Sequence, residues 1–199
     1  MKLFHLSDLH IGKRVNEFSM IEDQKYILER ILDLAEKEMP DGVILAGDIY
    51  DKQIPSAEAV QVFDEFITKL AERKFPVFVI SGNHDSAERL AFGGRLLNSR
   101  GIYLSPVYDG TVMKIPIADQ YGTVWIHLLP FIRPAAVRRV FEDESDLITD
   151  VQSAVRAVIS HMEIDPNERN ILVAHQFVTG ASRCESEDIQ VGGLDNIDA

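Results

Sequence analysis

Ser7-Asp8-Leu9-His10, Gly47-Asp48-Ile49-Tyr50-Asp51, Gly82-Asn83-His84-Asp85 and Ala174-His175 gather carboxylate, amide and imidazole side chains into four short segments. Oxygen and imidazole donors without a thiolate favour Mn²⁺, Fe²⁺ or Zn²⁺ over an all-oxygen Mg²⁺ site. Two such cations roughly 3.5–4 Å apart form a clamp for in-line displacement at phosphorus. Asp48 has two oxygens and is the natural bridge between two ions. Asp8 and His10 supply a carboxylate and an imidazole, Asn83 a neutral carbonyl oxygen, and His175 a second imidazole. His84 stands beside a candidate ligand and is placed to face substrate, protonating a leaving oxygen or donating to a phosphoryl oxygen. Asp85 is a candidate to fix the His84 tautomer. Asp51 has two open readings, as a support for the site or as the start of the next loop.

These residues can meet only if the chain brings their segments together. Each follows an apolar, partly β-branched run, at 2–6, 43–46, 77–80 and 171–173. In a parallel sheet, turns after strands open on one edge, where ligands of open α/β sheets bind. Between the runs, Ile27, Leu28, Ile31, Leu32 and Ala35 repeat at helical spacing, and Pro40-Asp41-Gly42 ends that helix. Ser56 is a candidate N-cap for a helix with Val60, Phe63, Ile67 and Leu70 on one face. This βαβαβ order predicts a parallel sheet with right-handed crossovers.

The pattern changes after Gly101. Tyr108-Asp109-Gly110 and Gln120-Tyr121-Gly122 both read as hairpin turns, with antiparallel strands at 112–117 and 123–129. Those strands form a second sheet or extend the first. A helix is expected over about 147–162, with Leu147, Val151, Ala154, Val155, Val158 and Met162 on one stripe. The strand at 171–173 should return the chain to the sheet edge. From Thr179 onward the chain is Gly- and Asp-rich and reads as loop.

Taken singly, each segment has an ordinary structural reading, as a cap, a turn or a loop histidine. The recurrence behind four strands makes coincidence improbable. His5 reads as a packed or hydrogen-bonded strand histidine, His127 as a strand residue, His161 as a helix-surface residue and Cys184 as inert.

Length and composition bound the rest. The 199 residues suit one domain, 1–199, large enough for a full core, and 46% hydrophobic residues is ordinary for a soluble globule. One cysteine rules out an intrachain disulfide and fits a reducing compartment. His5, Asp8 and His10 interrupt the N-terminal apolar run, so it is no signal peptide, and no apolar run is long enough to cross a bilayer. A cytoplasmic protein is expected.

A net charge of −12 argues against a nucleic-acid partner, but several carboxylates belong to the proposed site, where two divalent cations would add four positive charges. Arg133, Arg138 and Arg139 lie close together in sequence, and Arg89, Arg95 and Arg100 follow the third segment. A solvated surface is the plain reading of each.

At these segments the chain resembles the calcineurin-like metallophosphoesterases, whose pattern runs D-x-H, GD, GNH[DE], a histidine, and then GHxH. The segments His5-Leu6-Ser7-Asp8-Leu9-His10-Ile11-Gly12, Gly47-Asp48-Ile49-Tyr50-Asp51, Ser81-Gly82-Asn83-His84-Asp85-Ser86, Glu88-Arg89-Leu90-Ala91-Phe92-Gly93 and Val191-Gly192-Gly193 are similar to those of the bacterial nucleases in that superfamily. The resemblance implies a four-layer α/β/β/α sandwich and a Mn²⁺-dependent nuclease acting on double-stranded DNA ends and hairpins. It also implies a homodimer and an ATPase partner. Carried over by motif, Asp8, His10 and Asp48 hold one metal, Asp48, Asn83 and His175 the other, and His84 is catalytic with Asp85 in support. The helices after Pro55 and after Ser86 are candidate dimer surfaces.

One departure stands out. No histidine follows His175, so the final Gly-His-x-His is missing. The expectation is a C-terminally incomplete form. Two other readings stay open: a phosphatase or phosphodiesterase for small molecules on the same fold, and a binding scaffold without catalysis.

Overall fold

The computed structural model describes residues 1–178 and 196–197. The elements run in the order β1 (Leu3–Leu6), β2 (Arg14–Val15), β3 (Phe18–Ser19), α1 (Ile21–Glu38), β4 (Gly42–Ala46), α2 (Ala57–Glu72), β5 (Val77–Ile80), α3 (Ala87–Leu90), α4 (Gly94–Leu97) and β6 (Ile102–Leu104). They continue with β7 (Met113–Asp119), β8 (Gly122–Leu128), α5 (Pro134–Val140), α6 (Val151–Ser160), β9 (Arg169–Val173), β10 (Phe177–Val178) and β11 (Asn196–Ile197). The expectations for Cys184, for Val191-Gly192-Gly193 and for a loop from Thr179 onward lie outside the described residues, apart from the short β11.

The first sheet has the order β1-β4-β5-β6 and is parallel throughout, with Leu6 opposite Leu45 and Ala46 opposite Ile80. Every residue of β4 and β5 is buried, as continuous apolar runs in a doubly covered parallel sheet should be. One face, with Val43, Leu45, Val77 and Val79, packs on Leu28, Leu32 and Ala35 of α1 and on Val62, Phe63, Phe66 and Leu70 of α2. The other face, with Ile44, Ala46, Phe78 and Ile80, packs on a second sheet.

Helix α2 starts where its sequence says. The Ser56 hydroxyl accepts from the Ala59 N–H at 3.2 Å. Its core stripe is Ala59, Val62, Phe63, Phe66, Ile67 and Leu70, so the expected Val60 lies off the stripe and is 44% exposed. In α1, Ile27 likewise faces solvent while Leu28, Leu32 and Ala35 are buried. Met39 adopts the left-handed conformation and closes α1 just before Pro40.

The second sheet has the order β7-β8-β9. Strands β7 and β8 form the expected hairpin across Gln120 and Tyr121. The expected hairpin at Tyr108-Asp109-Gly110 does not form, because β6 and β7 belong to different sheets and this segment crosses between them. There the Asp109 carboxylate accepts from the Thr111 N–H at 3.1 Å, a local turn bond.

Strand β9 pairs in parallel with β8, with Val173 opposite Leu128. The expectation that all four motif strands share one sheet is therefore corrected for the fourth: His175 arrives from the second sheet. Ile115, Val124, Ile126, Leu128 and Val173 fill the space between the sheets. A third cluster under α5 and α6 joins Leu129, Ile132, Val137, Val151, Ala154, Val155 and Val158 and completes the helix–sheet–sheet–helix layering.

Helix α6 is shorter than its apolar stripe suggests. Asp150 and Ser153 form a reciprocal capping box, at 2.7 Å and 3.0 Å, that sets its start at Val151. Leu147 falls in a preceding 3₁₀ segment and is exposed. Among the described residues no helix is long and apolar enough to cross a membrane.

Candidate metal centre

Asp8 and His10 are two residues apart, so a regular strand would hold them on one face, and a turn has to aim both at a common point. The turn after β1 does this with φ of 58° at Asp8 and 42° at His10. The turn after β4 repeats the device, with 91° at Gly47 and 51° at Asp48. Asp and His are among the few L-residues that enter this region, at a cost of about 1–2 kcal/mol each. The strain is held by backbone pairing between the two turns: Asp8 N–H to Gly47 O at 3.1 Å, His10 N–H to Asp48 O at 2.9 Å and Ile11 N–H to Ile49 O at 2.9 Å.

Asp48 is the centre, with 3% exposure. Its Oδ1 accepts from the His84 N–H at 2.9 Å. Its Oδ2 faces three imidazoles: His175 Nε2 at 3.6 Å, His10 Nε2 at 3.8 Å and His84 Nε2 at 4.0 Å. Asp8 Oδ1 lies 3.9 Å from His10 Nε2, and Asn83 Oδ1 lies 3.2 Å from His175 Nε2. The 3.6–4.0 Å gaps around Asp48 Oδ2 are too long for hydrogen bonds but within the span of two ligand bonds of about 2.1 Å to one ion.

Two trios have donor atoms within 4.8 Å of one another: His10, Asp48 and His84, and Asp8, Asp48 and His175. Asp48 belongs to both. The trios divide the histidines differently from the motif-based expectation, since His84 joins His10 and Asp8 joins His175. All six expected metal or catalytic residues outside Asp85 thus converge on one place.

The donors suit a divalent cation. The His175 Nδ1–H donates to the Ala46 carbonyl at 2.7 Å, which turns Nε2 toward two acceptors, Asp48 Oδ2 and Asn83 Oδ1. A lone pair facing two oxygens is unfavourable without a proton or a cation between them. Burial works to lower the His175 pKa, but the Asp48 carboxylate outweighs it and the imidazole is held above its usual range. Burial works to raise the Asp48 pKa, but the neighbouring His175 imidazole and the hydrogen bond from the His84 N–H bring it below the usual carboxylate range.

The glycines of the motifs are steric requirements. A methyl group at Gly82 would overlap the Asp48 carboxylate and amide, and one at Gly47 would stand 2.5 Å from His175 Nδ1.

Asp85 is buried, and its carboxylate accepts from the Gly82 N–H at 2.9 Å, the Tyr50 N–H at 2.9 Å and the Ile49 N–H at 3.0 Å. It makes no hydrogen bond to His84, which corrects the expectation that Asp85 fixes the His84 tautomer. Its oxygens are taken up by backbone donors. His84 Nδ1 pairs instead with the Asp51 main-chain carbonyl at 3.1 Å, so Nδ1 carries the proton and Nε2 faces Asp48. The Asp51 side chain faces His10, with Oδ1 at 3.8 Å from Nδ1. Asp51 is therefore part of the site's support.

Other contacts had no motif to announce them. Gln24 of α1 donates to the His10 and Leu9 carbonyls at 2.8 Å and 3.1 Å and accepts from the Gly12 N–H at 2.9 Å, bracing the first turn. Ser7 donates to the Asp8 carboxylate. Beyond β8, the Phe131 N–H donates to Ser81 O at 2.8 Å, which brings Phe131 beside the third motif. Two residues on, Arg133 is exposed, with its guanidinium 5.7 Å from the Phe131 ring centroid. Arg138 is used internally, donating to Ile148 O at 2.6 Å, whereas Arg139, Arg89, Arg95 and Arg100 are exposed.

The remaining histidines lie apart from the site. His127 is a buried strand residue, with Nε2 at 2.9 Å from Asn170 Oδ1. His161 caps α6 and stacks on Phe141. His5, opposite Ile44 on the edge strand β1, is exposed rather than packed.

The SbcD component of nuclease SbcCD from Staphylococcus epidermidis is 35% identical to this chain over 202 aligned positions, covering 100% of the chain and 52% of the relative. The SbcD component from Staphylococcus saprophyticus subsp. saprophyticus is 34% identical with the same coverage. The chain thus spans about half the length of the curated relatives it matches. The family profile of calcineurin-like phosphoesterases matches residues 1–192, a stretch that begins before Asp8 and runs past His175. With these side chains converging at the strand ends of a layered α/β/β/α frame, this chain belongs to the calcineurin-like phosphoesterase family.

Proposed function

We propose that residues 1–199 form the phosphoesterase domain of an SbcD-type DNA nuclease, with Asp8, His10, Asp48, Asn83 and His175 as metal ligands and His84 as the catalytic histidine. The reading is supported above all by Asp48, whose buried Oδ2 faces the His10 and His175 imidazoles at 3.8 Å and 3.6 Å at once. The relatives named as part of a nuclease support DNA over a small ester.

Two divalent cations, Mn²⁺ in this reading, would neutralise phosphoryl oxygens and lower the pKa of a nucleophilic water. The chain's own groups do the positioning. Asp48 keeps both trios in register through one buried carboxylate. His175 and His84 have their Nδ1 atoms tied to main-chain carbonyls, so each presents Nε2 to the site. His84 keeps 40% side-chain exposure and can reach a bound phosphodiester. In its doubly protonated form, its Nε2–H donates to a phosphoryl oxygen or passes a proton to the leaving oxygen.

The reading extends to an SbcC-type ATPase partner, a homodimer and a cytoplasmic setting. The exposed Ile54 before α2, Phe92 before α4 and Leu96 within α4 support the dimer as apolar side chains in need of cover.

The test uses the full-length protein with Mn²⁺, linear duplex, hairpin DNA and a generic phosphodiester. The expected result is Mn²⁺-dependent cleavage of duplex ends and hairpins. His84→Ala should lower it by about 10²–10⁴-fold. A protein that holds two Mn²⁺ ions and cuts no DNA would overturn the reading. A strong preference for the generic diester would favour the small-molecule phosphodiesterase, for which the net charge of −12 speaks.

A further inference from the structure

The loops that follow β4 and β5 are locked to each other by two carboxylates exchanged in opposite directions. Asp48, in the first loop, accepts from the His84 N–H of the second at 2.9 Å. Asp85, in the second loop, accepts from Ile49 and Tyr50 of the first, and from Gly82 of its own loop. The two acids differ in what they have left over. Asp48 still turns Oδ2 to three imidazoles, whereas Asp85 has both oxygens on amides, Oδ2 on Ile49 and Gly82 and Oδ1 on Tyr50.

We propose that Asp85 is a positioning residue that sets the spacing of the two-ion site by pinning the Asp48 loop to the Asn83–His84 loop. The proposal rests on the metal reading above. The geometry leaves little slack, because Gly82 lies so close to Asp48 that no side chain fits between them. A small shift of either loop therefore changes the separation of Asp48 from Asn83 and His84 together. Asparagine cannot replace the clamp. It offers one acceptor oxygen instead of two, and its NH₂ would face at least one amide N–H, donor against donor.

The experiment measures amide hydrogen exchange and Mn²⁺ titration calorimetry on the full-length protein, wild type and Asp85→Asn. In the wild type the amides of Ile49, Tyr50 and Gly82 should be protected, and Mn²⁺ should slow their exchange more than that of Ile44 or Val79. In Asp85→Asn they should exchange at least about tenfold faster, Mn²⁺ affinity should fall about 10–100-fold and kcat should fall with KM little changed. Unprotected amides in the wild type, or Mn²⁺ binding by a folded Asp85→Asn protein equal to wild type, overturns the proposal. If the variant does not fold, the wild-type result decides: no Mn²⁺-linked slowing at these three amides overturns it. A wild type that binds no Mn²⁺ at all refutes the metal reading itself, and does so whatever the protection of these amides.

Discussion

A Cβ added to Gly47 would stand 2.5 Å from the Nδ1 of His175, although the two residues come from different sheets. The missing side chain at one motif is what lets the other enter the site.

Gly47→Ala should therefore damage the centre twice. The position has a φ of 91°, which strains any L-residue, and the methyl pushes His175 away from Asp48. The expected outcome is a loss of more than about 1 kcal/mol of stability together with weaker Mn²⁺ binding. Denaturant unfolding and calorimetry measure the two effects, and wild-type values in both would contradict the steric account.

Ile126→Ala probes the contact between the sheets. Ile126 is fully buried among Ile44, Phe78 and Ile80 of the first sheet and Val173 of the second. Its truncation should cost about 2–5 kcal/mol, depending on how far the cavity collapses. His175 depends on that packing, so Mn²⁺ affinity should drop even at temperatures where the variant is fully folded.

Arg133→Ala tests the approach of DNA. Among the described residues, no carboxylate pairs with Arg133, and the backbone two residues before it is bonded to Ser81 at the edge of the site. The variant should raise KM for duplex DNA, reduce the salt slope of binding by about 1 and leave hydrolysis of a generic diester unchanged. An unaltered salt slope would remove Arg133 from the DNA path.

Asp119 should give the fold part of its acid sensitivity. Paired donors from Arg169 at 2.7 Å and 3.0 Å, with the Tyr121 N–H and the Met1 amine, hold its carboxyl well below the usual range. A carboxylate with a depressed folded-state pKa stabilises above its unfolded pKa of about 3.9, and that contribution is lost as pH falls toward the folded value. Asp119→Asn should lower Tm at pH 7 and flatten its fall between about pH 5 and pH 2. Thermal melts across that range would show whether the two curves converge in acid.

Much of the centre was legible from spacing. Asp8, His10, Asp48, Asn83 and His84 each sit just past an apolar run, and the parallel pairing of β1, β4 and β5 carries those runs to one edge. Ser56 announced the start of α2 in the same local way, because a cap bonds only three residues ahead. Two ranges were less legible. Leu147 continues the apolar stripe of α6, yet Asp150 and Ser153 cap the helix after it, and the turn at Tyr108-Asp109-Gly110 is a crossing between sheets.

The chain alone determined which donor atoms are available and that they follow strands, since residue type and apolar periodicity are local properties. Tertiary structure alone decided that His175 enters from the second sheet, that Asp51 rather than Asp85 orients His84, and that Gln24 braces the first turn. The physical reason is that a hydrogen-bonding group takes whichever partner the folded backbone brings within reach. For Asp85 those partners were three amides on two loops, and nothing in the order of residues along the chain specifies that choice.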